Sequence, residues 1–190
     1  MRKYTKLLNL GAGKKLRSDS INVDITPYLG IDMVVNAEGN SWPWEANSID
    51  GIYVSHLLEH LKDPERFIKR CHRILKPGGF LRIAAPHSSC ITSVGCMGHY
   101  RTYSYSTFDD YLAKPWYMFE KPLFKTEYQI LRWWYEDIDA EGNMPKWTIP
   151  IIWAIDAVIN CIIVLNPRLF ENTLASFIQC REVIWQGRKI

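Results

Sequence analysis

A chain of 190 residues with 47% hydrophobic and 23% charged side chains has the balance of a folded globular domain, which excludes the disordered and collagen-like classes. A formal charge of +3 is too small for the concentrated basic face of a dedicated nucleic-acid binder, so nucleic acid is not the expected partner. Five cysteines, odd in number and without a C-x-x-C pair, exclude a disulfide framework or zinc knuckle and fit a cytoplasmic protein.

Arg2 and Lys3 precede Leu7 and Leu8, but the apolar run stops at Asn9 and enters Gly11. It therefore reads as a first strand, not a leader peptide. Residues 21–25 and 33–35 are β-branched runs ending near Asp24 and Asn36, and residues 49–54 give a fourth strand. Ser55 is placed to cap a short helix over 56–61. Asp63 then caps a longer helix whose first position is Pro64, and Phe67, Ile68, Cys71, Ile74 and Leu75 form its apolar stripe.

Pro77-Gly78-Gly79 is expected to stop that helix and turn the chain into a fifth strand, residues 80–85. A Ser/Gly/Tyr-rich loop follows over 87–105, and Ser106 is expected to cap a helix at 107–113. Late strands are expected at 124–134 and 182–185, separated by an apolar helix at 151–165 and a second helix at 169–177. Strands alternating with helices predict a parallel α/β sheet.

In such a sheet a small ligand binds outside the carboxyl ends of the strands, where a glycine turn lets the backbone approach it. Gly11 and Gly13 meet that need. A dinucleotide fingerprint would require a third glycine where Leu16 stands, and a P-loop would require glycine at Leu8 and Ser or Thr at Lys15. A carboxylate ending strand two can accept both hydroxyls of an adenosine ribose, which selects Asp24, with Asp32 as the alternative. Asp24 follows the glycines so closely that the first helix must shrink to a turn or to a loop over 14–20.

Four ordered motifs carry a family resemblance: LLNLGAG (7–13), INVD (21–24), SIDGIYVSHLLEHL (48–61) and RILKPGGFLRIAAP (73–86). With them the chain resembles the small, methyltransferase-type-11-like members of the class I, S-adenosylmethionine-dependent methyltransferases. GHYRTYS (98–104) and NPRLFE (166–171) extend the likeness more loosely. The resemblance implies a Rossmann-like fold: a mostly parallel seven-stranded sheet, an antiparallel strand in its last pair, helices on both faces and a helical insertion before the last strand. One domain, 1–190, is expected, with 1–86 as its cofactor-binding half and 87–190 as its acceptor side.

The implied cofactor is S-adenosyl-L-methionine. Gly11 and Gly13 would lie beside its methionine part, Asp24 on the ribose, and Asn36 with Ala37 near the adenine. Asn9, Leu10, Ala12 and Ile25 would line the same seat, and Ser55 and His56 would face cofactor and acceptor. Asp50 is assigned a structural part in the strand-four turn.

His56-Leu57-Leu58-Glu59-His60 also matches H-x-x-E-H, an inverted zinc-protease pattern needing a third ligand from Glu120, Glu127 or Glu136. The plainer expectation gives Glu59 a helix-start role and His60 an ordinary hydrogen bond, with no metal.

The transferred methyl is already activated, so the protein has mainly to hold an acceptor in line with it, helped by a base if the acceptor is a hydroxyl. Histidine suits that role. His99, His56 and His87 are the candidates, His99 first, because all three fall on loops at the carboxyl edge; His72 lies on a helix. Tyr100, Arg101 and Tyr103 would line the pocket of a small-molecule or glycan-type acceptor.

Trp116, Tyr117, Trp133, Trp134 and Tyr135 could form a stacking wall, though aromatics this frequent ordinarily fill core. Asp156 and Asn160 share one face of the 151–165 helix and argue against a transmembrane span, leaving a lid, a homodimer face or a peripheral membrane contact. A cofactor-binding protein without turnover, or a partner subunit, is the alternative function.

Overall fold

A computed structural model describes residues 6–114, 121–133, 147 and 149–190. Its strands are β1 (Leu7–Leu10), β2 (Ile21–Asp24), β3 (Met33–Val34), β4 (Ile49–Ser55), β5 (Leu75–Pro86), β6 (Phe124–Arg132) and β7 (Glu182–Lys189). They form one sheet of seven strands in the order β3-β2-β1-β4-β5-β7-β6. The first five run parallel, and β7 is antiparallel to both neighbours. Its helices are α1 (Pro64–Ile74), α2 (Ile91–Val94), α3 (Ile149–Leu165) and α4 (Pro167–Thr173). This is the expected Rossmann-like methyltransferase sheet, and its carboxyl edge carries the loops after β1, β2, β4 and β5.

Strand alternation divides the sheet into two unlike faces. Leu8, Ile52 and Leu81 stand side by side in register, as do Leu10, Val54 and Ile83, and all six are buried. They join one cluster with Phe67 and Ile74 of α1, Ile163 of α3 and Phe170 of α4. The opposite face carries Asn9, Tyr53, Arg82, Gln186 and Tyr128 in one row. The 11–20 connection crosses there as a loop, with the Arg17 guanidinium 3.7 Å from the centre of the Tyr53 ring. A loop thus stands where a helix would cover this face, as the short spacing to Asp24 requires.

Buried polar side chains hold that loop. Asn9 Nδ2 donates to Lys15 O at 2.9 Å and to Asn22 Oδ1 at 3.0 Å, and Asn22 Oδ1 also accepts Arg17 N–H at 2.9 Å. The two amides replace the internal hydrogen bonds that a helix would have supplied to its own backbone.

Helix α1 starts as expected, with Asp63 accepting Arg66 N–H at 2.9 Å and Pro64 in the first turn. It ends at Ile74, earlier than the glycines suggest, because Lys76 precedes Pro77 and is steered away from helical backbone. Leu75 is already extended and pairs with Ile49 as the first residue of β5.

Ser55 caps nothing: the following turn is 3₁₀, Leu58–His60, without a side-chain cap. Ser106 likewise yields to Thr107, whose hydroxyl accepts Ser104 N–H at 3.0 Å before the chain winds into a π-turn at Asp109–Ala113. The last strand outruns its apolar core, since Gln186 and Arg188 turn onto the polar face and bond Glu127. Among the described residues no single helix is long and apolar enough to cross a membrane; α3 and α4 together reach that length but bend by 106°.

Candidate cofactor and acceptor site

The glycine turn after β1 is bound to β2. Gly11 and Ala12 N–H both donate to Val23 O, at 2.8 and 3.0 Å, and Gly13 N–H donates to Asp24 Oδ2 at 2.8 Å. Both glycines have positive φ, 70° and 50°, where a β-carbon is strained. A side chain on Gly11 would also meet Leu57 at 3.0 Å, whereas nothing lies within 4 Å of the same position on Gly13. The turn therefore presents open backbone at Gly13 with a carboxylate beside it. Asp24 Oδ1 accepts Thr26 N–H at 2.9 Å, so two backbone bonds aim the group, and its remaining lone pairs suit ribose hydroxyls.

The other expected seat residues divide by exposure. Asn9, Leu10 and Ala12 are buried, so their side chains shape the turn from below, while Ile25 is 61% exposed. Asn36 closes a turn after β3 by accepting Glu38 N–H at 2.9 Å, next to half-buried Ala37. Asp32 is taken up by Asn22, whose backbone N–H it accepts at 2.7 Å; this leaves Asp24 as the ribose candidate. Asp50 is structural as expected, bonded to Lys6 N–H at 2.9 Å and to the Lys76 ammonium at 2.8 Å.

At the end of β4, half-buried Ser55 is followed by His56 with φ of 50°. The His56 ring lies 3.4 Å from Glu59 Oε1 through Nδ1 and 3.3 Å from Glu182 Oε2 through Nε2. Burial works against its charged form, but the hydrogen bonds to Glu182 and Glu59 outweigh it and raise its pKa to about 9. The two carboxylates thus favour the charged form of His56, which weighs against the general-base role expected of it.

His87 is held in a different way. It is 1% exposed, with Nε2 2.8 Å from Glu171 Oε1 and Nδ1 2.9 Å from Ser89 Oγ, so both ring nitrogens are engaged. His99 differs: Nδ1 is 3.0 Å from Ser93 O and must donate to it, which leaves Nε2 with the lone pair on a partly exposed ring. Its neighbours Arg101 and Tyr103 border a cavity of about 700 Å³ with Lys62, Phe108 and Tyr111. Tyr100 is 58% exposed.

The H-x-x-E-H reading fails as an inverted zinc-protease helix, because the segment is not helical at His56 and that ring faces two carboxylates. Glu127 is held by Arg188 and Gln186 on β7; Glu120 and Glu136 lie outside the described residues. Of the proposed aromatic wall, Trp133 packs against the core and the other four also lie outside the described residues. Sequence reasoning missed Glu171 and Glu182, the partners of His87 and His56. The one available signal was Glu182 standing directly before the apolar run 183–185.

Comparison with known proteins agrees with this architecture. The family model described as a methyltransferase domain matches residues 10–83. That stretch runs from the end of β1 into β5 and holds the glycine turn and Asp24. No curated protein matches it in sequence.

Among solved structures, the domain is similar to a Haloferax volcanii protein in complex with the Trm112 methyltransferase activator. Identity there is 14%, coverage 100% of this chain and 83% of that one, and TM-score 0.59. It is also similar to a SAM-dependent methyltransferase from Archaeoglobus fulgidus, at 17% identity, 97% and 86% coverage and TM-score 0.58. The N-methyltransferase NodS from Bradyrhizobium japonicum, solved with S-adenosyl-L-homocysteine, is similar at 13% identity, 98% and 78% coverage and TM-score 0.54. At these identities the likeness is one of fold.

Proposed function

We propose that this protein methylates a small-molecule or glycan-type acceptor, with residues 1–86 seating the cofactor and 87–190 the acceptor. The observation that carries this reading is the Gly13 to Asp24 clamp with open space over Gly13. Gly11 and Gly13 bring backbone against the methionine part, Asp24 takes the ribose hydroxyls, and Asn36 with Ala37 borders the adenine. Asn9, Leu10 and Ala12 fix the turn beneath, and Ile25, Ser55 and His56 edge the seat. When bound, S-adenosylmethionine supplies a sulfonium methyl that passes to the acceptor's lone pair as the breaking C–S bond returns its electron pair to sulfur.

The chain's own contribution is to position the acceptor and dispose of its proton. Of the three histidine candidates, only His99 retains a ring nitrogen with no hydrogen bond among the described residues. A lone pair there can take the acceptor proton directly. The cavity beside Arg101 and Tyr103 is the proposed acceptor pocket.

Helix α3 supports a surface contact, because it leaves large apolar side chains exposed. Ile152, Asp156, Ile159, Asn160 and Ile163 face inward, while Trp153, Val158, Val164 and Leu165 are exposed. Such a face suits a homodimer contact or a peripheral membrane contact.

Calorimetry with S-adenosylhomocysteine and a labelled-methyl screen over sugars, lipid-linked glycans and small metabolites test the proposal. One binding site and label transfer to one acceptor class are expected. Absence of binding at millimolar ligand overturns the cofactor seat, and binding without transfer to any acceptor favours a non-catalytic or partner-subunit role. With the acceptor known, His99→Ala should lower turnover about 10²-fold or more while cofactor affinity stays unchanged. Unchanged turnover removes His99 from the mechanism.

A further inference from the structure

Glu59 poses a problem that methyl transfer does not answer. It is 1% exposed, and while Oε1 faces His56, Oε2 has no hydrogen-bond partner. A buried carboxylate oxygen left without donors is costly, so such a group ordinarily has an ion or a ligand to meet. Two imidazoles stand beside it. Glu59, His60 and His99 offer one ligand atom each within 4.8 Å of one another. The two rings meet edge to face with centroids 4.7 Å apart.

The tautomers of both rings are set from behind. His60 Nδ1 lies 2.9 Å from Gly98 O, and His99 Nδ1 lies 3.0 Å from Ser93 O. A ring nitrogen facing a carbonyl must donate, which leaves each Nε2 with its lone pair outward. This is how metal-binding histidines are held, with the other N–H on a carbonyl or carboxylate. Tyr100 N–H donates to Glu59 O at 2.7 Å, fastening the 93–100 loop to the turn that carries the other two side chains. Two segments far apart in sequence are thus joined so that two nitrogens and one carboxylate converge.

We propose that Glu59, His60 and His99 bind a divalent transition metal ion, zinc being the expected one. Two imidazoles and one carboxylate are a ligand set that zinc accepts, and three protein ligands leave a fourth position open, as in catalytic sites. Tetrahedral bonds of roughly 2.0–2.1 Å would bring the ligand atoms about 3.4 Å apart. Exposed His60 and partly exposed His99 can close that distance by side-chain rotation around the fixed Glu59. This is not the H-x-x-E-H arrangement, since His56 takes no part and the second histidine comes from the loop after β5.

Only the role of the ion rests on the methyltransferase reading; its binding does not. At the acceptor side an ion with an open position would coordinate an acceptor hydroxyl, lower its pKa and release its proton to water. His99 then acts as a ligand and not as a free base.

The test uses the full chain, stripped with chelator and titrated with zinc chloride by calorimetry and with cobalt chloride by visible absorption. One equivalent is expected, with the intense visible bands of four-coordinate cobalt. His60→Ala and His99→Ala, both at positions outside the core, should each weaken binding at least about 100-fold while S-adenosylhomocysteine affinity stays unchanged. Glu59→Gln should do the same if it folds, and the two histidine variants decide the matter if it does not. No binding to the unaltered chain, or equal binding by both histidine variants, overturns the site. Failure of S-adenosylhomocysteine to bind a chain that still takes the metal would instead overturn the cofactor seat.

Discussion

The cofactor half and the acceptor side of this molecule are held together by different means. In the first, the determining contacts are short in sequence: Gly13 to Asp24, Asn9 to Asn22 and Arg17 to Asn22. The second is tied by long reaches: Glu182 meets His56 of the first half across 126 positions, and His87 reaches Glu171 across 84. Local motifs therefore build the cofactor seat as a self-contained turn, whereas the acceptor side exists only when the last strand and α4 have closed over the loop after β5. Damage to the first region should show mainly in ligand affinity, and damage to the second mainly in stability.

Glu182→Ala should break that comparison most strongly. Glu182 is 2% exposed and braces the half-buried ring of His56, so its loss removes one of the two carboxylates that face that imidazole. Removing one partner of a buried pair costs on the order of 3 kcal/mol. Urea unfolding should show a loss of that size, with S-adenosylhomocysteine affinity changed far less than in a seat variant. Unchanged stability would show that the His56 pair does not staple the sheet.

Asp24→Ala tests the opposite half. It removes the acceptor of both Gly13 and Thr26 N–H and the proposed ribose contact. Hydrogen bonds to a charged group contribute roughly 1.5–3 kcal/mol, so S-adenosylhomocysteine affinity should fall about 100-fold, as read by calorimetry. A change of less than about threefold would move the ribose away from β2.

The same division explains what the sequence disclosed. The glycine turn, Asp24, the Asp63-Pro64 helix start and the Phe67 stripe are local patterns, and each stands where its pattern puts it. The early end of α1 at Ile74 follows from Lys76 preceding Pro77, a local rule overshadowed by the more conspicuous Gly78-Gly79. The carboxylates of Glu171 and Glu182 left no such trace, because a partner 84 or 126 positions away imposes no periodicity. His56 read as a base for that reason: its loop position is visible in sequence, but the two acids that keep it protonated are not. The pairing of His60 with His99 escaped likewise, since the two are neighbours only in space.

Glu171→Gln sharpens the comparison with the smallest effect and adds a pH dependence. Burial raises the Glu171 pKa, but hydrogen bonds from His87 and Tyr105 N–H outweigh it and hold the carboxyl below its ordinary 4.5. The folded state then binds fewer protons than the unfolded state in the window below 4.5. Its contribution to stability is therefore complete above that pH and lost as pH falls through the folded value. The amide keeps an acceptor for Tyr105 N–H but gives up the charge, which should cost about 1–2 kcal/mol at pH 7. Urea midpoints measured at pH 7 and pH 4 should therefore converge for the two proteins as the pH falls. A constant gap across that range would mean that α4 is held by packing of Phe170 and not by the charge of its neighbour.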